Sequence, residues 1–284
     1  MQSADARRPW TFYAYAAFFT LFVLFLYGPM TVIYILSFQG PNGGMTFPMN
    51  GVSLEWFDAL FSQKRVGDIA GSFTRSIGMA AIVAAITVLL SVLAGLGFRR
   101  RFRGSAVAFY LAIASLIMPG LFVGLGIALT FRLLGLQTDW LTSGLAAQLT
   151  WTLPFGLLIM FAVLGRFNRS YEEAATDLGA TNWQRLKEVT IPMLLPGIIG
   201  VALFGFTLSY DEIARTSITA GSQNTLPLEI WAMTTNVTSP ALYAVGAVTT
   251  VVSFLVITIA LTSIALIQRR RARSARRATL SSTE

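Results

Sequence analysis

The chain has 284 residues, of which 55% are hydrophobic and 12% charged, about half the charge of an ordinary soluble domain. A mean hydropathy of +0.65 leaves too few polar residues to cover a soluble globule of this size. Lys and Arg number 21 against 13 Asp and Glu, for a net charge of +8, and there is no His and no Cys. That composition excludes disulfides, thiol redox chemistry, Cys/His zinc sites, His-ligated haem and every Ser–His or Cys–His nucleophile pair.

Apolar runs of about 20 residues cross roughly 30 Å of hydrocarbon. Six are found, at 11–38, 76–98, 106–130, 144–165, 193–218 and 241–267. A short segment, 1–10, precedes them. The first run follows Arg7 and Arg8, as a secretory signal would, but its 28 residues far exceed a signal core. No small-residue cleavage site follows it, and Arg7-Arg8-Pro9 is a poor twin-arginine signal. It is expected to be an uncleaved first span.

The loop at 39–75 opens with Gly40, Pro41, Asn42, Gly43 and Gly44, which predict a flexible turn-rich stretch. Ser53-Leu-Glu-Trp-Phe-Asp-Ala-Leu-Phe61 follows, with apolar residues at 54, 57, 60 and 61. Capped by Ser53, it predicts a short amphipathic surface helix. The second run, 76–98, has no charge and ends at Arg99, Arg100, Arg101 and Arg103. Pro119, Pro154 and Pro196 fall within the third, fourth and fifth runs and are expected to permit kinks.

Between the fourth and fifth runs lies RFNRSYEEAATDLGATNWQRLKEVTIP, residues 166–192. Ser170 with Glu173, and Thr181 with Gln184, each read as a capping box. Gly179 can take the left-handed conformation that ends a helix. Pro192 biases Ile191 towards extended backbone. The expectation is a helix over 171–178, a turn at Gly179-Ala180 and a helix over 182–190. Tyr171, Ala174, Ala175 and Leu178 form one stripe on the first helix, small enough for another surface to approach closely.

The fifth run contains Asp211, Glu212 and Arg215, the only charges within a predicted span. Each costs roughly 2.5–3.5 kcal/mol at mid-bilayer on an insertion scale. The spacing offers two pairs, Asp211 with Arg215 at i, i+4 and Glu212 with Arg215 at i, i+3. Two readings stand side by side: a hydrated pair at the outer end of the span, or a lining of the translocation path with Tyr210, Trp151 and Phe155. Residues 219–240, with Thr225-Leu-Pro-Leu-Glu-Ile-Trp-Ala-Met233, suit a re-entrant segment or an interfacial helix.

With the N-terminus inside, sixteen of the 21 Lys and Arg fall in inner segments and four in outer ones. The positive-inside bias therefore predicts both termini in the cytoplasm. The expected fold is an all-α polytopic membrane protein: six transmembrane helices over 11–267 and a basic cytoplasmic tail over 268–284. The arginine clumps, RRRARSARR included, are then topology signals beside anionic membrane lipid rather than a nucleic-acid surface.

The inner loop resembles the EAA loop of permease subunits in binding-protein-dependent ABC importers. That pattern is Glu-Ala-Ala, three residues, Gly, nine residues, then Ile-x-Leu-Pro. Here it reads Glu173-Ala174-Ala175, Gly179 and Val189-Thr190-Ile191-Pro192, with both spacings kept. SLEWFDALF, Met118-Pro119-Gly120, Leu208-Ser209-Tyr210-Asp211-Glu212 and Thr225-Leu-Pro-Leu228 are similar to the spermidine/putrescine-type branch. Arg75 stands where that branch often carries Asn, and Arg215 where a small apolar residue is expected.

The resemblance implies a second, homologous permease, two ATPase subunits, a periplasmic or extracellular solute-binding protein and a place in the bacterial cytoplasmic membrane. It implies that Glu173, Ala174, Ala175, Gly179, Ile191 and Pro192 couple to the ATPase. No Gly-Lys dipeptide occurs, so the chain has no phosphate-binding loop; ATP and Mg would be bound by the partner ATPase, with no cofactor in this chain. A channel or secondary transporter, which leaves the EAA loop unexplained, and an intramembrane enzyme, for which Asp211 and Glu212 alone are thin support as an aspartyl site, are the alternatives. The acids suit a cation, whereas Arg215 suits a carboxylate-bearing solute or neutralises the acids.

Overall fold

The computed structural model describes residues 9–62, 67–100, 102–236 and 239–281. Arg7, Arg8, Lys64, Arg65 and Arg101 lie outside the described residues, as do the side chains of the basic tail. Among the described residues the only strand-like pairing is an isolated antiparallel bridge between Gln39 and Val52. The chain divides into two compact units, Met1–Gly67 with Ala232–Val251, and Asp68–Trp231 with Val252–Glu284.

In the first unit, α1 (Trp10–Leu36) is apolar on every side and almost wholly exposed within the chain. Such a helix needs lipid or another protein around it. The loop after it is rich in turns and bends, as its glycines predict, and one side chain is packed into it. Gln39 is fully buried there; its Nε2 donates to the Gly44 carbonyl (3.0 Å) and its Oε1 accepts from the Asn50 N–H (2.8 Å). One side-chain amide thus replaces the regular pairing that the loop lacks. Ser53 Oγ accepts from the Glu55 N–H at the start of α2 (Glu55–Ser62). The buried face of α2 is Trp56 and Leu60, four apart, while Leu54 and Phe61 stay exposed, so the stripe differs from the expected one.

In the second unit, α3 (Ile69–Phe98) begins well before the predicted span because Asp68 caps it, accepting from the Gly71 N–H at 3.0 Å. Arg75 therefore lies inside the helix, where it donates to Asp68 Oδ2 (2.9 Å) and the Asn224 carbonyl (2.8 Å). The hydrogen bond from Arg75 holds the Asp68 carboxyl below its ordinary range. The third predicted span is two helices, α4 (Ser105–Ala114) and α5 (Gly120–Leu133), with Pro119 as the extended residue before α5. A π-type turn at Trp140–Gly144 opens α6 (Leu145–Gly165), which contains Pro154. The hairpin helices α7 (Ser170–Asp177) and α8 (Asn182–Gln184) follow. A second π-type turn, Arg185–Thr190, leads into α9 (Ile191–Tyr210), which contains Pro196. The short α10 (Thr216–Thr219) completes this run; α11 (Leu226–Asn236) and α12 (Ala241–Ser281) each pass between the two units.

Helices α3, α6 and α9 build the core, with Val92, Met160, Leu164, Leu194 and Val201 buried together. Close approach rests on glycine: a Cβ on Gly156 would fall 2.3 Å from Ser91 Oγ. Polar side chains tie the same helices. Thr87 Oγ1 donates to Thr152 Oγ1 at 3.0 Å, and Ser209 Oγ donates to Gln148 Oε1. Among the described residues, five helical stretches are long and apolar enough to cross a membrane: Trp10–Leu36, Ile69–Phe98, Trp140–Gly165, Asn182–Tyr210 and Ala241–Ser263.

Candidate functional site

The α7–α8 hairpin forms from local chemistry. Gly179 adopts φ +84°, the left-handed residue that the turn requires. The second capping box is present: Thr181 Oγ1 accepts from the Gln184 N–H (3.3 Å) and Gln184 Oε1 from the Thr181 N–H (2.8 Å). The first is absent. Asn168 Oδ1 takes the Ser170 N–H at 3.0 Å, so Ser170 is already helical and Glu173 has no cap to close. Pro192 does not end the second helix. Ile191 is helical (φ −60°, ψ −46°), and the π-type turn ahead of it shifts the hydrogen-bond register where proline supplies no donor. Backbone therefore runs helically from Asn182 to Tyr210.

Glu173 and Ala174 are exposed on α7 and Ala175 is half-buried. Leu178 is 89% exposed and Trp183 66%, a large apolar pair for so short a hairpin. The residue that fixes the hairpin is one that the motif does not single out. Glu172 accepts from both Arg99 terminal nitrogens, at 2.9 and 2.7 Å, and from Thr190 Oγ1 at 2.7 Å. Arg99 also lies 5.1 Å over the Phe167 ring. The hydrogen bonds from Arg99 hold the Glu172 carboxyl below its ordinary 4.5, and those to Glu172 raise Arg99 above its ordinary value. No local spacing signals this bridge, because its partners stand 73 residues apart.

At the other end of α9 the structure corrects the sequence reading. Helix α9 stops at Tyr210, and Asp211, Glu212 and Arg215 lie in the turn beyond it rather than within a span. The pair that forms is Glu212 with Arg215, 3.4 Å apart, and not Asp211 with Arg215. Glu212 Oε1 also accepts the Arg215 backbone N–H at 2.7 Å, which turns the chain towards α10. Both side chains are buried. The Arg215 guanidinium lies 4.8 Å over the Trp151 ring. It fits only because α5 is bare there: a Cβ on Gly120 would fall 2.8 Å from Arg215 Nη1, and one on Gly124 2.7 Å from the Arg215 carbonyl. Arg215 Nε, Trp151 Nε1 and Tyr210 Oη have no hydrogen-bond partner among the described residues. Buried Tyr210 stacks on Phe206, and Phe155 joins Trp151 to Phe204 edge-on. Asp211 is exposed and makes no ion pair among the described residues.

A core of apolar helices, threaded with glycine and carrying an exposed helical hairpin, is the architecture of an all-helical polytopic membrane protein. The chain belongs to the family of binding-protein-dependent transport system inner membrane components, whose model matches residues 87–274. It is similar to the putrescine transport system permease protein PotI of Escherichia coli K12, 32% identical over 238 residues, 79% of this chain and 80% of that one. It is also similar to the spermidine/putrescine transport system permease protein PotC of the same strain, 28% identical over 242 residues, 84% and 89% of the two chains. The fold matches a bacterial ABC transporter that imports the acidic polysaccharide alginate, with TM-score 0.67 and 13% identity over 93% of this chain and 97% of that one. It also matches the MetNI methionine ABC transporter, with TM-score 0.57 and 14% identity over 70% and 95%. The protein is therefore the permease component of an ABC importer, within the spermidine/putrescine-type branch.

Proposed function

We propose that this chain carries a small organic polycation of the polyamine type inward across the bacterial inner membrane. The observation that supports a cation is the division of labour among the three charges. Arg215 is neutralised by Glu212, which leaves the exposed residue Asp211 as a carboxylate with no ion-pair partner among the described residues. Only a negative charge then remains for a solute, and the names of the relatives point the same way. Asp211 receives the ammonium group, Tyr210 and Trp151 wall the path, and the Glu212–Arg215 pair holds the turn beside it.

The chain crosses the membrane six times, with α4 and α5 together as the third crossing and both termini in the cytoplasm. The α7–α8 hairpin, with Glu173, Ala174, Ala175, Gly179, Ile191 and Pro192, couples to an ATPase that binds ATP and Mg. A homologous second permease, two ATPase subunits and a solute-binding protein complete the importer. Its exposed Leu178 and Trp183 are the groups an ATPase cleft would bury.

Uptake of labelled putrescine into proteoliposomes holding the whole importer, with ATP inside, tests this reading. Spermidine in excess should suppress uptake, and acidic or neutral solutes should not. Uptake that follows an anion, or that proceeds without the ATPase, would overturn it.

A further inference from the structure

A cavity of about 390 Å³ opens where α3 leaves the apolar core and the hairpin begins. Four guanidiniums line it, those of Arg99, Arg100, Arg169 and Arg185, against one carboxylate, Glu172. That carboxylate is already satisfied by Arg99 and Thr190. Arg185 donates to neutral oxygens only, Thr176 Oγ1 and Asn182 Oδ1, each at 3.1 Å. Arg100 and Arg169 make no side-chain hydrogen bond or ion pair among the described residues. Four positive charges therefore face a single carboxylate in the cavity walls, and that carboxylate is bridged to Arg99. Like charges at this density repel, and a bound anion removes that cost.

The remaining walls indicate what kind of anion fits. Leu96 and Leu186 give the cavity an apolar side. Leu89, Leu93, Leu96 and Arg100 fall at helical spacing on one face of α3, and Leu89 and Leu93 are each 58% exposed. An exposed apolar face of a span therefore runs straight into a cluster of guanidiniums. That is the outline of a phospholipid, with its chains along the leucines and its phosphate among the arginine forks, which match phosphate oxygens two at a time. The cationic walls also come from different elements: Arg100 from the end of α3, Arg169 and Arg185 from either arm of the hairpin. A ligand held by all three braces the hairpin against α3, beside the Arg99–Glu172 bridge.

We infer that this cavity is a phosphate site, filled by the headgroup of an anionic membrane lipid, and that its occupancy stiffens the coupling hairpin. The inference is independent of which solute is carried.

The test uses the assembled importer in nanodiscs of phosphatidylcholine, titrated with phosphatidylglycerol and, in a second arm, with inorganic phosphate. Lipid retention is read by native mass spectrometry, and amide exchange is read over residues 166–192. Phosphatidylglycerol should slow exchange across the hairpin in the wild type. R100Q/R169Q should weaken lipid retention about 25-fold, about fivefold for each guanidinium removed, and abolish the slowing. R132Q, distant in the chain, should change neither. If the glutamine variant fails to assemble, R100K/R169K is read instead; it keeps the charge but not the fork, so it should retain lipid less well than wild type. Equal protection by inorganic phosphate would overturn the lipid source and leave a soluble phosphate as the ligand. Unchanged lipid retention in R100Q/R169Q, with the ATPase lost, would overturn the site and assign the cavity to an ATPase carboxylate. An equal effect of R132Q would reduce the result to bulk surface charge and overturn it too.

Discussion

The two ends of α9 each carry a glutamate–arginine pair, and the pairs are built on opposite plans. At the hairpin end, Glu172 and Arg99 are joined by two short hydrogen bonds across 73 residues, and both side chains keep some exposure, 16% and 17%. At the far end, Glu212 and Arg215 are three residues apart, meet at 3.4 Å, and are 4% and 8% exposed. The first pair ties one element to another, with good geometry and water nearby. The second ties nothing distant; it neutralises a charge that the packing of Trp151, Gly120 and Gly124 has enclosed. The hairpin pair is a strut, and the far pair is a sealed charge beside an open one, Asp211.

The largest effect should come from unsealing that charge. Glu212→Gln leaves Arg215 buried without a counter-ion, a change that typically costs about 3–5 kcal/mol. Melting in detergent and abundance in membranes should both fall. Arg215→Gln should cost less, since Glu212 still accepts the backbone N–H of residue 215. The double change should recover most of the loss, with strong coupling in a double-mutant cycle. Asp211→Asn should show no such coupling to Arg215→Gln. Coupling of 211 rather than 212 to 215 would reverse the assignment of the two acids.

The strut should break at smaller cost. Arg99→Gln or Glu172→Gln removes a partly hydrated, bidentate bridge, worth about 1–3 kcal/mol. The visible result should be faster proteolysis within 166–190, at normal membrane abundance. The pH dependence has a definite sign. The Glu172 carboxyl is depressed below 4.5, so its contribution is in place above that value and is lost only as pH falls through the lower, folded one. Hairpin protection should be flat from about pH 8 to 5 and decline progressively only as pH falls below about 4.5. Loss of protection near neutral pH would show that the bridge is not the strut.

Gly179→Val tests the turn itself. No atom lies within 4 Å of a Cβ placed there, so the cost is backbone strain alone, roughly 1–2 kcal/mol at φ +84°. Insertion should survive while coupled uptake fails, and Gly179→Asn should be the milder change. Normal uptake by the valine variant would remove the hairpin from coupling.

These contrasts also mark what could be read from the chain beforehand. Gly179 and the Thr181–Gln184 box were legible because each is decided within four residues, and the apolar runs because length alone decides them. The strut was not, since nothing near Glu172 points to Arg99. The end of α9 was misjudged because Ile213 and Ala214 prolong the apolar run, while Glu212 captures the Arg215 N–H and turns the chain. The third run hid its break in the same way: residues 115–119 sit among apolar neighbours but are non-helical, with Pro119 at ψ 131° ahead of α5.

The smallest effect on stability belongs to Asp211, and it bears most directly on the solute. Asp211 is exposed as a residue and unpaired among the described residues, while burial around its carboxyl pushes it above its ordinary range. Asp211→Asn should therefore leave melting unchanged or raise it by no more than about 0.5 kcal/mol. Uptake is a separate matter. A carboxylate that meets an ammonium group on the path contributes through charge, and the isosteric amide keeps the shape while losing that charge. The half-saturating putrescine concentration should rise about tenfold, the worth of roughly 1.4 kcal/mol. ATPase activity stimulated by the binding protein should persist, because the hairpin is untouched. Asp211→Glu should restore much of the loss, which a purely structural residue would not do. If Asp211→Asn instead lowers the turnover rate at unchanged half-saturation, the residue acts in opening the path rather than in meeting the cation. The open acid and the sealed pair would then serve one gate instead of two separate tasks.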